Sequence, residues 1–105
     1  MPDLTTILAR QQAFSLATFG PDYRPQQALD HIRRELTEIA ADPRDLKEWI
    51  DVAIIGLDGA MRCGYTPEQV AQALIDKIAI NETRTWPDWR SADPNLAIEH
   101  VKEGV

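Results

Sequence analysis

Apolar residues in this chain recur with the period of a helix, and nowhere do they alternate as in a strand. That regularity limits the fold more than any other feature. Gly and Pro fall mainly at the joints between periodic segments, so the segments are separate helices and the chain is expected to be all-α. A first helix, roughly Leu4 to Thr18, is stopped by Phe19-Gly20-Pro21. A second runs from about Pro25 to Ala41 with proline in its first turn, where the missing N–H costs nothing. A third is expected to open at Asp42-Pro43, with Asp42 as cap, and to fade near Gly64. Thr66-Pro67-Glu68-Gln69 is a capping box with Pro67 at the first helical position, and it begins a fourth helix ending near Trp86. Pro87-Asp88-Trp89-Arg90 then breaks the helix before a short final one from Asn95 to about Lys102. Trp86 and Trp89 are expected to pack this tail back across the helices.

With 105 residues and no repeat or interdomain linker, residues 1–105 are expected to form one domain with a modest core. A net charge of −6 argues against a nucleic-acid backbone as partner, because phosphate chains are met by basic patches. It does not exclude a nucleotide, since cations bridge acidic side chains to polyphosphate. Cys63 is the sole cysteine, so neither an intrachain disulfide nor a thiolate metal cluster can form. The N-terminus has no leader-like pattern, and no run approaches the roughly 18 apolar residues of a membrane span. The expectation is a protein of the cytoplasm, without a membrane partner.

Two acidic pairs stand out, Glu35-x-x-Glu38 and Glu48-x-x-Asp51, on either side of the Asp42-Pro43 turn. On the second helix Leu29, Ile32, Leu36 and Ile39 make the apolar stripe, and His31, Glu35 and Glu38 line one edge of it. The third helix is apolar almost all round, through Leu46, Trp49, Ile50, Val52, Ile54, Ile55 and Leu57. Its narrow polar stripe holds Glu48, Asp51, Asp58 and Arg62. Partly desolvated carboxylates there require either a cation or a basic partner, for which Arg33, Arg34 and Lys77 are the candidates. The inward stripe of the fourth helix begins as Val70 and Leu74 and continues as Lys77, Asn81 and Arg84. Lys and Arg suit phosphate oxygens, and Asn suits a sugar or base.

The order E-x-x-E, E-x-x-D, K-x-x-x-N-x-x-R resembles the MazG-like all-α nucleoside triphosphate pyrophosphohydrolases. Asp30-His31-Ile32-Arg33-Arg34-Glu35-Leu36, Glu48-Trp49-Ile50-Asp51 and the stretch Asn81-Glu82-Thr83-Arg84-Thr85-Trp86-Pro87-Asp88-Trp89-Arg90 are similar to its small single-domain branch, the dATP/dGTP diphosphohydrolases. The likeness covers about Phe19 to Val101. It implies a four-helix bundle-like fold of MazG type, with Glu35, Glu38, Glu48 and Asp51 as ligands of Mg²⁺ or Mn²⁺. It implies hydrolysis of a purine deoxynucleoside triphosphate to monophosphate and pyrophosphate, with Glu35 or Glu38 taking the proton of the attacking water. Lys77, Asn81 and Arg84 would hold phosphates or sugar. The first helix and a neighbouring subunit would build the base pocket, which makes Gln11, Gln12, Phe14, Ser15 and Trp49 candidates; Arg24 is instead a candidate for reaching phosphate, against an exposed turn arginine, and His31 for a place beside the metals without ligating them. The nine residues between Glu38 and Glu48 are few for the wider family, and its pattern leaves Asp58 unexplained. Such enzymes form homo-oligomers, and a tetramer built as a dimer of dimers is expected, in keeping with the apolar third helix. The competing reading is a non-catalytic helical oligomerisation or adaptor module whose acidic stripes are ion-paired.

Overall fold

The computed structural model describes residues 2–102. Four α-helices account for most of them: α1 (Leu4–Phe19), α2 (Pro25–Ala41), α3 (Leu46–Arg62) and α4 (Pro67–Thr83). No strand occurs among the described residues, so the all-α expectation holds.

Local chemistry sets the helix ends. Asp3 caps α1 by accepting from the Thr6 N–H at 2.8 Å. Gly20 ends the helix at φ +86°, a conformation that disfavours a side chain. Pro25 opens α2, as its missing N–H allows. At α4 the capping box is reciprocal: Thr66 N–H donates to Gln69 Oε1 at 2.9 Å, and Gln69 N–H donates to Thr66 Oγ1 at 3.1 Å.

Three expectations about the elements are corrected. Helix α3 begins at Leu46, four residues after Asp42, because the Asp45 carboxylate takes the Lys47 N–H at 3.0 Å and caps the helix there. Asp42 instead supplies a turn carbonyl to the Asp45 N–H at 3.2 Å. Helix α4 stops at Thr83, short of Trp86. No helix forms over Asn95 to Lys102; a single 3-10 turn at Trp89–Ser91, capped by Asp88, is the last helical element among the described residues.

The described chain divides into two compact units, one up to Gln72 and one from Ala73 onward. In the first, α3 packs against both α1 and α2. Leu8 of α1, Met61 of α3, and Val70 and Ala71 from the start of α4 form its buried cluster, with Leu4, Leu57 and Ala60 packed around it. The α2 stripe is only partly covered in this chain: Ile39 is buried, whereas Leu29 and Leu36 are exposed, contrary to expectation. Leu46, Trp49 and Ile50 on α3 are likewise exposed, Leu46 at 71%.

In the second unit Leu74 is exposed, so the apolar stripe of α4 is buried only as far as Ala71. The tail is tied locally. Trp86 Nε1 donates to the Asn81 carbonyl at 2.8 Å, the Trp86 ring meets His100 edge-on, and Val101 N–H donates to the Thr85 carbonyl at 2.7 Å. Trp89 is exposed, with the Arg90 guanidinium over its ring.

Candidate metal and nucleotide site

A turn of only Asp42 to Asp45 joins α2 to α3, so the two helices run antiparallel in a fixed register. Glu38 and Glu48 are each five residues from Pro43 in that turn, and about one helical turn further out Glu35 and Asp51 are each eight residues from it. The register of this hairpin therefore brings Glu35, Glu38 and Glu48 together without help from the rest of the chain. Trp49 braces the hairpin: its indole N–H donates to the Pro43 carbonyl at 2.9 Å.

Glu35, Glu38 and Glu48 each present an oxygen within 4.8 Å of the others. Glu35 is buried, 7% exposed, Glu48 is half-buried and Glu38 is exposed. Oε2 of Glu35 and Oε2 of Glu48 are buried without a hydrogen-bond partner. Buried carboxylate oxygens left unpaired are costly, so the arrangement calls for a cation. The electrostatics agree. A hydrogen bond to Glu38, with burial second, pushes the Glu48 carboxyl up to about 7. Burial, then the neighbouring Glu38, raises Glu35, and His31 only partly offsets this.

Asp51 is exposed and stands outside the 4.8 Å group, although its charge contributes to raising Glu35. Among the described residues no lysine or arginine pairs with these four carboxylates; Arg34 is committed to Asp30 at 3.0 Å. The nearest cationic candidate is His31, whose Nε2 lies 3.5 Å from Glu35 Oε1. Oxygen-only donors of high negative charge with open positions fit a hard divalent ion of the Mg²⁺ or Mn²⁺ class.

From Glu35 and Asp51 a cleft of about 540 Å³ extends between α1, α2 and α3. Its walls combine apolar Phe14, Phe19, Ile54 and Ile55 with polar Gln11, Gln27, Asp30, His31, Arg24 and Arg34. That is a volume and a lining suited to a ligand of nucleotide size. Of the expected base-pocket residues, Phe14 and Ser15 border this cleft, and so does Gln11. Gln12 and Trp49 do not. Ser15 is 2% exposed and its hydroxyl is already engaged, donating to Asp58 Oδ2 at 2.9 Å and accepting from Arg62 Nη2 at 2.8 Å. Asp58 and Arg62, unexplained by the acidic motif, thus act together. Their spacing of four on one helix was the available signal. Gln27, Asp30, Ile54 and Ile55 carried no signal in the sequence beyond their position on the inner faces of α2 and α3.

Lys77, Asn81 and Arg84 belong to the second unit. Arg84 Nη1 donates to Asn81 Oδ1 at 3.2 Å, so these two form one polar group, and Lys77 is exposed. A second, shallower hollow of about 440 Å³ lies along the start of α3, bordered by Lys47, Glu48 and Asp51.

Comparison with known proteins agrees with this geometry. The family model for dATP/dGTP pyrophosphohydrolases matches residues 7–104. A dATP/dGTP diphosphohydrolase of cyanophage S-2L is 33% identical over 103 residues, which are 96% of this chain and 91% of that protein. The Eaa protein of Salmonella phage P22 is 36% identical over 105 residues; the match takes in all of this chain, which spans only about a third (33%) of that relative. Among solved structures, the cyanophage S-2L MazG-like pyrophosphohydrolase, bound to dGDP and three catalytic Mn²⁺ ions per active site, superposes with a TM-score of 0.69 at 31% identity. The superposition covers 96% of this chain and 100% of that one.

Proposed function

Since the chain belongs to the dATP/dGTP pyrophosphohydrolase family, we propose that it hydrolyses a purine deoxynucleoside triphosphate, dGTP or dATP, to the monophosphate and pyrophosphate. The observation that carries this reading is the convergence of Glu35, Glu38 and Glu48 with two buried carboxylate oxygens unpaired. Such a group is a liability in an adaptor and an asset in a metal enzyme. Glu35, Glu38 and Glu48 would hold Mg²⁺ or Mn²⁺, with Asp51 completing the shell. When bound, these ions neutralise the polyphosphate and lower the pKa of a coordinated water.

The chain's own groups divide the remaining work. Water oxygen bonds to the α-phosphorus as the bond to the α–β bridging oxygen breaks; the water's proton passes to Glu35 or Glu38, and pyrophosphate departs. Glu38, exposed where Glu35 is buried, is the more accessible acceptor. Phe14 offers a face for stacking, and Gln11 offers both donor and acceptor to a purine edge. Lys77, Asn81 and Arg84 are proposed as phosphate and sugar contacts on the strength of their donor chemistry.

The apolar surface left open on α2 and α3, at Leu29, Leu36, Leu46 and Ile50, supports assembly into a homo-oligomer, with a dimer of dimers as the proposed form. No helix of the described residues is long and apolar enough to cross a membrane. The relatives compared come from phages, so the cytoplasm of an infected host is the proposed place of action.

The test is incubation of the protein with the four deoxynucleoside triphosphates and their ribose counterparts in Mg²⁺ or Mn²⁺, with products separated by ion exchange. Monophosphate plus pyrophosphate from a purine deoxynucleotide, abolished by chelator, is the expected result. Orthophosphate would identify a phosphatase instead, and no turnover would sink the proposal.

A further inference from the structure

The end of the cleft remote from the carboxylates is built around one buried ion pair. Arg62 and Asp58 are one turn apart on α3, with Arg62 Nε donating to Asp58 Oδ2 at 3.0 Å and only 10% of the Arg62 side chain exposed. The rest of the guanidinium faces the α1–α2 connection. Nη1 donates to the carbonyls of Gly20 at 2.8 Å and Asp22 at 2.7 Å, and Nη2 donates to the Ser15 carbonyl and hydroxyl at 3.3 and 2.8 Å. Five N–H groups thus make five bonds to protein atoms, so Arg62 has no donor left for a substrate. Asp58 also accepts from the Ser15 hydroxyl, which closes the ring of contacts.

This clasp fixes where three cleft residues stand. Gly20 and Asp22 lie between Phe19, which meets Phe14 edge-on at 6.3 Å, and Arg24, whose guanidinium is 3.0 Å from the Asp22 carboxylate. Phe14, Phe19 and Arg24 all border the cleft. Arg24, which precedes α2, and Glu35 on α2 are eleven residues apart, as are Asp51 and Arg62 on α3. At 1.5 Å per residue the clasp and the acidic end are separated by about 16 Å along the helices.

We infer that Arg62, held by Asp58, is a positioning residue for base recognition, because its clasp sets Phe14, Phe19 and Arg24 around the proposed base pocket at this end of the cleft. The inference rests on the proposed activity, because it takes the phosphates to be held at Glu35, Glu38 and Glu48. Polyphosphate at that end leaves sugar and base to run along the cleft that Glu35 and Asp51 border. The far end supplies what a purine needs, aromatic faces for stacking and a guanidinium able to donate to the O6 and N7 of guanine. Lysine cannot replace Arg62, since a single ammonium cannot span five acceptors arranged around a planar fork.

The experiment compares wild type with Arg62→Lys, Asp58→Ala and Asp58→Asn. Arg62→Lys and Asp58→Ala should raise KM for the purine deoxynucleotide about tenfold or more while kcat stays within about threefold. The Mn²⁺-induced rise in melting temperature should match wild type, as the three glutamates are untouched. Asp58→Asn keeps an acceptor and should fall between. An unchanged KM in folded Arg62→Lys overturns the inference, and so does a joint loss of kcat and the Mn²⁺ shift, which would make the clasp merely structural. Hydrogen exchange on the wild-type protein needs no variant to fold. With Mn²⁺ present, a purine deoxynucleoside diphosphate should slow exchange at residues 14–24, and pyrophosphate should not. Equal protection by both, or by neither, places the base elsewhere and refutes the inference. Failure of the proposed activity shows separately, as absence of turnover by wild type.

Discussion

Glu38 and Glu48 present carboxylate oxygens within 4.8 Å of each other across the α2–α3 turn, and the neighbouring Glu38, with burial, pushes the Glu48 carboxyl up to about 7. Glu48 therefore keeps its proton until near neutrality in the metal-free protein. The pair is thus prepared to exchange that proton for a cation.

Glu48→Gln removes the charge and keeps the shape. Turnover should fall by at least about a hundredfold, more than is lost when only a partner of a metal ligand is removed. Circular dichroism should stay that of wild type, and the Mn²⁺-induced rise in melting temperature should largely vanish. Retained turnover with Mn²⁺ would show that Glu48 is not a ligand.

Proton linkage gives a second expectation. The folded-state pKa of Glu48, about 7, exceeds its unfolded value of 4.5, so between these pH values the native state binds more protons than the unfolded state. Its contribution to stability is fully present below pH 4.5 and is lost as pH rises through about 7. In chelator the melting temperature of wild type should fall from pH 5 to pH 8 by more than that of Glu48→Gln. Metal affinity should move the other way, strengthening up to about pH 7 as the competing proton leaves. Parallel melting curves for the two proteins would contradict this.

How far the sequence disclosed these features depended on whether each was local. Helix α2 was legible to the residue because Pro25 fixes one end and the Asp42 turn the other. The convergence of Glu35, Glu38 and Glu48 was legible because the acidic pairs are symmetrical about Pro43, whereas the exposed position of Asp51 outside that group was not. The start of α3 was misread because Asp42-Pro43 and Asp45 both make acceptable caps, and only the backbone path of the turn decides between them. Burial of Leu29 and Leu36 was also misread, since an apolar stripe reports what a helix seeks to cover and not whether this chain alone covers it. The role of Arg62 was hidden for a different reason: four of its five bonds go to residues forty or more positions away, three of them to backbone carbonyls that no side-chain pattern reveals.

Stability of the first unit should be concentrated in its small buried cluster. Leu8 is 2% exposed and packs with Met61, Val70 and Ala71. Leu8→Ala should cost about 2–5 kcal/mol through lost transfer energy and the cavity left behind. In so small a protein that is a large share of the total. Urea unfolding monitored by circular dichroism reads the change directly, and a cost under about 1 kcal/mol would mean that the site collapses around the cavity.

Trp49 separates a brace from a base reader. Its ring is exposed, it does not border the cleft, and its indole N–H is engaged by the Pro43 carbonyl at 2.9 Å. Trp49→Phe keeps an aromatic surface and removes only that donor, so the Pro43 carbonyl turns to solvent at a cost of about 1 kcal/mol. The α2–α3 turn it steadies also sets the distance between Glu38 and Glu48. A small loss of stability and a slightly weaker Mn²⁺ affinity should therefore appear together, while KM for nucleotide stays as in wild type. Phe14→Ala, which strips an aromatic wall from the cleft, should do the reverse, raising KM and leaving Mn²⁺ affinity alone. Steady-state kinetics beside metal titration measure both quantities on the same preparations. A rise in KM for Trp49→Phe at constant metal affinity would instead place the indole against the base.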